Sequence, residues 1–140
     1  MKKHLTSLCA ILLALLTLFL FVACTEEENT NVWENALYHN DTTLGEGKTT
    51  LVVEVEALGH KVTFTIMTDK TTVGDAMLEH GLIAGDQGSF GLYVKTVNGI
   101  LADYDKNKHY WAFYIDEKDA YTGVDFAEIT EGAKYQLVYT

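Results

Sequence analysis

The sequence predicts an α+β domain over residues 49–140, a small mixed β-sheet with one helix packed on one face. Three features predict it. Two runs of strict apolar alternation flank Leu58-Gly59, one short helical stripe follows a threonine pair, and an Asn-Gly turn leads into aromatic-rich strands.

In the first run Leu51, Val53, Val55 and Ala57 alternate with Val52, Glu54 and Glu56. In the second, Val62, Phe64 and Ile66 alternate with Lys61, Thr63, Thr65 and Met67. A period of two sends alternate side chains to opposite faces, so each run reads as a half-buried strand, and Leu58-Gly59 as the tight turn between them. Thr71 or Thr72 can cap a helix with Asp75 in its first turn, an inner stripe of Val73, Ala76, Met77 and His80, and Gly81 as its stop. A glycine-rich passage through Gly85 and Gly88 then reaches a third strand, Phe90 to Val97. Asn98-Gly99 is the strongest hairpin signal in the chain and turns that strand into Ile100-Leu101-Ala102. Tyr110 to Ile115 is apolar on both faces: Tyr110, Ala112 and Tyr114 share one, Trp111, Phe113 and Ile115 the other. After a turn at Glu131-Gly132, Tyr135 to Tyr139 forms the last strand.

The N-terminal region has a different character. Lys2 and Lys3 precede an uncharged, leucine-rich stretch from Leu5 to Val22, then Ala23, Cys24 and three consecutive glutamates from Glu26. This is a secretory signal arrangement, and a cysteine directly after a small residue resembles the lipobox of bacterial lipoproteins, although Phe21 stands where leucine is usual. The resemblance implies cleavage after residue 23, acylation of Cys24, and an extracytoplasmic protein lipid-anchored to the cell membrane. An ordinary signal peptide or an uncleaved anchor are the competing readings. The expected division is therefore 1–23 lipoprotein signal peptide, 24–48 acidic polar tether, 49–140 folded domain. Trp33, Leu37 and Tyr38 interrupt the tether as a docking segment or a marginal helical turn.

The formal charge is −10, and loss of Lys2 and Lys3 makes the exported part more negative by two. All basic side chains other than histidine are lysines. Nucleic acid and bare anionic lipid are poor partners for such a surface, and the bidentate arginine grip on phosphate is unavailable. The lack of arginine also fits an AT-rich, Gram-positive source. With Cys9 in the signal and Cys24 at the lipid site, the folded part has no disulfide and no thiol chemistry.

Several motifs fail on inspection. Ser89 is the sole serine after the signal and lacks a nucleophile elbow. Gly47-Lys48-Thr49 lacks the earlier glycine and the following helix of a phosphate loop. Asp103-Tyr-Asp-Lys-Asn107 begins like a calcium loop, but Lys108 replaces the required glycine and Tyr114 the closing glutamate, which leaves a solvated acidic hairpin loop. His60, His80 and His109 lie at no mutual metal-ligand spacing, and no acidic pair suits acid–base catalysis. The expectation is no enzyme, no metal and no required cofactor. The surplus lies in aromatics: Tyr93, Tyr104, Tyr110, Trp111, Phe113, Tyr114, Tyr121, Phe126, Tyr135 and Tyr139 exceed what one small sheet face needs. Part of that set reads as a ligand or protein contact strip.

Gly91-Leu-Tyr-Val-Lys-Thr-Val-Asn-Gly-Ile100, Lys108-His-Tyr-Trp-Ala-Phe113 and Gly123-Val-Asp-Phe126 together resemble the C-terminal β-domain of the vitamin B12 carriers intrinsic factor and transcobalamin. They look equally like a family of small exported bacterial domains, of mostly unassigned function, related to it. The resemblance implies a transcobalamin C-terminal-like, β-grasp-like fold and a corrinoid such as cobalamin as candidate ligand. Carried over by position, the contacts are Tyr93 and Val94 before the hairpin, Trp111 and Phe113 on the next strand, and the loop from Ile115 and Asp116 to Tyr121. The helical barrel that completes the carrier site is absent from this sequence, so a transporter or second binding domain would have to supply the other wall. An interaction module docking a transporter, wall polymer or surface protein is the alternative function. A third reading makes the apolar signal peptide, Leu16 to Ala23, a peptide-pheromone precursor.

Overall fold

The computed structural model describes residues 31–140, so the signal peptide, Cys24 and the pheromone reading fall outside the described residues. The two alternating runs form β2 (Thr49–Ala57) and β3 (His60–Thr68), following a short β1 (Thr42–Gly45). Leu58 and Gly59 both take positive φ, 51° and 79°, the backbone that a two-residue hairpin turn requires. Leu51, Val53, Val55, Ala57, Val62, Phe64 and Ile66 are all sealed from solvent on one face. Each large aliphatic or aromatic member contributes about 1.5–3 kcal/mol by leaving water.

Helix α1 (Val73–Glu79) lies over that face. Thr72 Oγ1 accepts from the Asp75 amide at 3.2 Å, and Gly81, at φ 65°, donates to the Leu78 carbonyl and ends the helix. Val73, Ala76 and Met77 point inward. The remaining strands are β4 (Ile83–Gly88), β5 (Gly91–Val97), β6 (Ile100–Leu101), β7 (Trp111–Ile115), β8 (Lys118–Asp119) and β9 (Tyr135–Tyr139). β9 sits between β2, to which it is parallel, and β7, to which it is antiparallel.

The α+β class holds, but the single sheet does not. Six strands form one mixed sheet in the order β1-β3-β2-β9-β7-β8, and β4-β5-β6 form a separate three-stranded antiparallel sheet. The split has a packing cause. Ile83, Val97, Ile100 and Ala102 bury against the larger sheet's apolar face beside α1, which a continuation of that sheet would not allow. The expected glycine-rich passage is strand β4, paired with β5 from Ile83↔Val97 to Gly88↔Gly91. Asp103–Asn107 is not an open acidic loop. Asp103 is buried, caps a helical turn (Tyr104–Asn107) and meets the Lys95 ammonium at 3.3 Å.

Residues 31–48 correct the expected boundary at Thr49, because much of this stretch is built into the domain. A 3₁₀ turn (Val32–Asn35) buries Trp33, whose Nε1 donates to the Ala57 carbonyl at 2.8 Å and whose ring meets His60 edge-on at 4.4 Å. Tyr38 packs edge-on against Phe64. β1 then adds in parallel to β3, from Thr42↔Phe64 to Gly45↔Met67. The domain is one compact unit from Asn31 to Thr140. The receiver for this N-terminal strap is the Asn98-Gly99 turn. Asn98 Nδ2 donates to the Tyr38 carbonyl at 2.8 Å, and its Oδ1 accepts the Tyr38 amide at 3.0 Å.

The β7–β8 turn is built from Asp116 and Glu117, both left-handed at φ 50° and 66°. Neither is the Asn-Gly pair that this turn favours. Asp116 has compensation, since its backbone N–H donates to the Lys134 carbonyl and its Oδ1 accepts the Lys134 amide at 2.9 Å. Glu117 has only an exposed contact to Lys134 at 3.6 Å, which contributes little. Glu117→Gly is therefore expected to stabilise the domain by about 0.5–1 kcal/mol. Urea unfolding measures this, and an unchanged or lower midpoint would show that the turn is not strained.

Candidate functional site: an aromatic end

The residues expected in a ligand strip are divided by the structure between core and surface. Trp111 is 7% exposed, donates from Nε1 to the Ile100 carbonyl at 3.3 Å and meets Tyr139 edge-on. Phe113 stacks on Tyr135, and Phe113, Ile115 and Val94 are half-buried against the core. These four lie on inward faces, where β5 of the smaller sheet packs against the Trp111 strand. Asp116 serves the turn described above. Of the seven, only Tyr93 and Tyr121 present their rings to solvent.

The opposite face of β7, carrying Ala112 and Tyr114, belongs to a half-open and largely polar sheet surface. Glu54 lies at its centre, accepting from Gln136 at 2.8 Å and Lys61 at 3.3 Å. Burial pushes the Glu54 carboxyl up, but the hydrogen bonds from Gln136 and Lys61, with the charges of Lys134 and Lys61, hold it below its usual value. An ionised carboxylate in the middle of this face makes it a poor seat for an apolar ligand.

A different grouping emerges where the β4–β5 turn meets the loop after β8. Phe90, in that turn, is 93% exposed, while Tyr121 and Phe126, on the loop, are 104% and 63% exposed. The two segments approach closely, and Gly91 makes room for the approach. A Cβ on Gly123 would lie 3.9 Å from the Phe90 carbonyl oxygen, and one on Gly91 would lie 2.9 Å from the Phe126 ring. Gly91 also has φ 95°, open only to glycine at low cost. Asp125 joins the segments directly, its Oδ2 accepting the Leu92 amide at 2.8 Å and the Gln87 side-chain amide at 3.4 Å. The other side of the loop is fixed to α1, because the Gly74 and Val73 amides donate to the Val124 and Ala127 carbonyls, each at 2.9 Å. Three large rings thus project from a braced support, a chemistry suited to stacking and apolar contact.

Beside this end, Lys95 on β5 lies 5.9 Å from the centre of the Tyr93 ring and bridges Asp86 (2.7 Å) and Asp103 (3.3 Å). The Asp86 and Asp103 hydrogen bonds raise the Lys95 pKa, and the Lys95 hydrogen bond lowers that of Asp86, so this pair stays charged near neutral pH. Phe90, Phe126 and Asp125 were not singled out as site residues from sequence. The available signal was the placement of Gly88, Gly91 and Gly123 around exposed-type aromatics.

Two clefts lie elsewhere. One, of about 430 Å³, is lined by Gly45, Glu46, Asp69, Lys70, Glu79 and His80, and His80 Nε2 is buried there without a hydrogen-bond partner. The other, of about 340 Å³, lies between Thr49, Lys70, Thr71 and Glu128. Among the described residues no group of three or more His, Cys, Asp or Glu side chains is placed to hold a metal ion.

Comparison with solved structures places the fold beside a protein of Ruminococcus gnavus ATCC 29149, described as "a putative metal binding protein", at TM-score 0.62 and 22% identity, over 66% of this chain and 97% of that one. Haptocorrin, solved in complex with Cbi, aligns at TM-score 0.46 and 12% identity over 69% of this chain and 26% of its own. No curated protein matches the chain. The family model described as "Domain of unknown function (DUF4430)" matches residues 70–140, the segment from just before α1 through β9 that contains the whole aromatic end. The chain belongs to the DUF4430 family.

Proposed function

We propose that this chain is a non-enzymatic binding domain, held at the outer face of the cell membrane through acylated Cys24, whose aromatic end receives a large, flat, mainly apolar ligand. A corrinoid is the candidate class, because the Asn98-Gly99 and Tyr110-Trp111-Ala112-Phe113 motifs resemble the corrinoid carriers' β-domain. The observation that carries the reading is the exposure of Phe90, Tyr121 and Phe126 on adjoining loops. Leaving such rings in water forgoes on the order of 2–3 kcal/mol each, which a covering ligand recovers. The site is a one-sided surface, so affinity for this chain alone is expected in the micromolar to millimolar range. One feature favours a second reading, a docking module for a protein or wall polymer: the rings line neither of the two clefts, and Tyr121 stands fully clear of its neighbours.

The test is a titration of full-length protein in detergent micelles with dicyanocobinamide, followed by NMR. Shifts should concentrate at Phe90, Tyr121 and Phe126, with little change at buried Trp111. Tyr121→Ala should weaken binding at least fivefold with an unchanged melting temperature. No shift up to millimolar cobinamide would overturn the corrinoid reading in favour of the docking module. Intact mass of the membrane-extracted protein should show diacylated Cys24 as the first residue, and an unmodified N-terminus at any other position would remove the anchor.

A further inference from the structure

We propose that Asp125 is the positioning residue of the aromatic end, setting the separation of the two ring-bearing segments so that they act as one surface. This rests on the reading of the aromatic end as the binding site.

Two glycines frame the slot that the carboxylate occupies. A Cβ on Gly74, in the first turn of α1, would come within 2.9 Å of Asp125 Oδ1 and 3.0 Å of the Val124 carbonyl oxygen. A Cβ on Gly91, at the start of β5, would come within 3.2 Å of Oδ2. The half-buried Asp125 thus lies between a helix start and a strand start that both leave out side chains at the point of contact. Through Oδ2 it takes the Leu92 amide, two residues beyond Phe90, and the amide group of Gln87, three residues before it. On its own chain it adjoins Phe126 and lies four residues after Tyr121. A charge-assisted acceptor at 2.8 Å is a strong tie by the standard of hydrogen bonds, and here it is the side-chain link that crosses between the segments. The loop's backbone hydrogen bonds run elsewhere, from the Val124 and Ala127 carbonyls to α1 amides, from the Ile129 amide to Thr71 and from the Ala120 amide to Phe113. Asp125 therefore supplies the hydrogen bond to the β4–β5 side, beside the contact of the Phe126 ring with Gly91.

The chemistry separates positioning from general stability. Asp125→Asn keeps an oxygen acceptor for the Leu92 amide; Asp125→Ala removes it. In the full-length protein, Asp125→Ala should increase hydrogen exchange at the Leu92 amide at least tenfold and speed proteolysis next to Tyr121 and Phe126. Exchange in β2 and β9 should be unchanged. Cobinamide affinity should fall at least fivefold at equal melting temperature, and Asp125→Asn should restore most of both properties. If Asp125→Ala does not fold, Asp125→Ser, whose shorter polar side chain withdraws the acceptor from the Leu92 amide, reads the same tie, and exchange at Leu92 still separates the outcomes. Unchanged Leu92 exchange and loop proteolysis in Asp125→Ala would overturn the proposal whatever the ligand result. Wild-type protein that ignores cobinamide but shows the exchange effect would overturn the corrinoid reading and leave Asp125 as the spacer of a docking surface.

Discussion

Trp33→Ala is expected to cost about 3–5 kcal/mol, the range for removing a buried tryptophan and leaving its cavity behind. The indole lies against the end of the β2–β3 hairpin, and the Ala57 carbonyl would lose its donor while His60 lost its edge contact. Against a total stability of about 5–15 kcal/mol for a domain of this kind, the loss is about a fifth or more. Trp111 remains as the fluorescent reporter, so urea unfolding followed by its emission gives the difference directly. A loss below about 1 kcal/mol would mean that the strap is not docked in solution, and the boundary at Thr49 would then be the better one.

Asn98→Ala should be nearly as damaging, by about 2–4 kcal/mol, for two separable reasons. Asn98 is 0% exposed and serves the Tyr38 backbone as a substitute peptide group, one donor and one acceptor, so its removal leaves two polar groups without partners. It also takes φ 51°, which asparagine tolerates and alanine resists by roughly 1–2 kcal/mol. Asn98→Gly separates the two terms, since glycine keeps the backbone and loses only the hydrogen bonds. The glycine variant should lie between wild type and alanine in chemical denaturation. Equal melting of all three would show that the turn forms without holding the strap. The neighbouring position is equally committed, because a Cβ on Gly99 would come within 2.3 Å of the Asn35 carbonyl oxygen.

What could be read from the sequence follows burial on one face. β2 and β3 were legible because Leu51 to Ile66 alternate, and α1 because Thr72, the Val73-Ala76-Met77 stripe and Gly81 agree with one another. β9 matched its predicted range, and β7 lacks only Tyr110, which pairs instead with Thr140. β1 and β4 were illegible for one shared reason. Both are edge strands; β4 is exposed from Ala84 through Gly88, so its pairing comes from the partner's backbone and leaves no hydrophobic period. Trp33, Leu37 and Tyr38 carried the signal of the strap as a docking segment, but three scattered apolar residues set no period from which its extent could be read. The aromatic end was half legible. Tyr121 was identified within a loop, but whether Trp111 or Phe126 faces water depends on which sheet covers which face, and that is decided by tertiary packing rather than by residue type.

The place of β9 has a consequence for the timing of folding. The middle of the six-stranded sheet is filled by its last strand, and Val53 meets Tyr135 only after the intervening chain has been made. The pair Glu54–Gln136 spans 82 residues of sequence. Until Tyr135–Tyr139 emerges, the β2–β3 hairpin keeps one open edge, and β7 is paired only with the short β8. A chain synthesised from its N-terminus therefore has no early folded intermediate containing the whole core, and the sheet closes in a single late event.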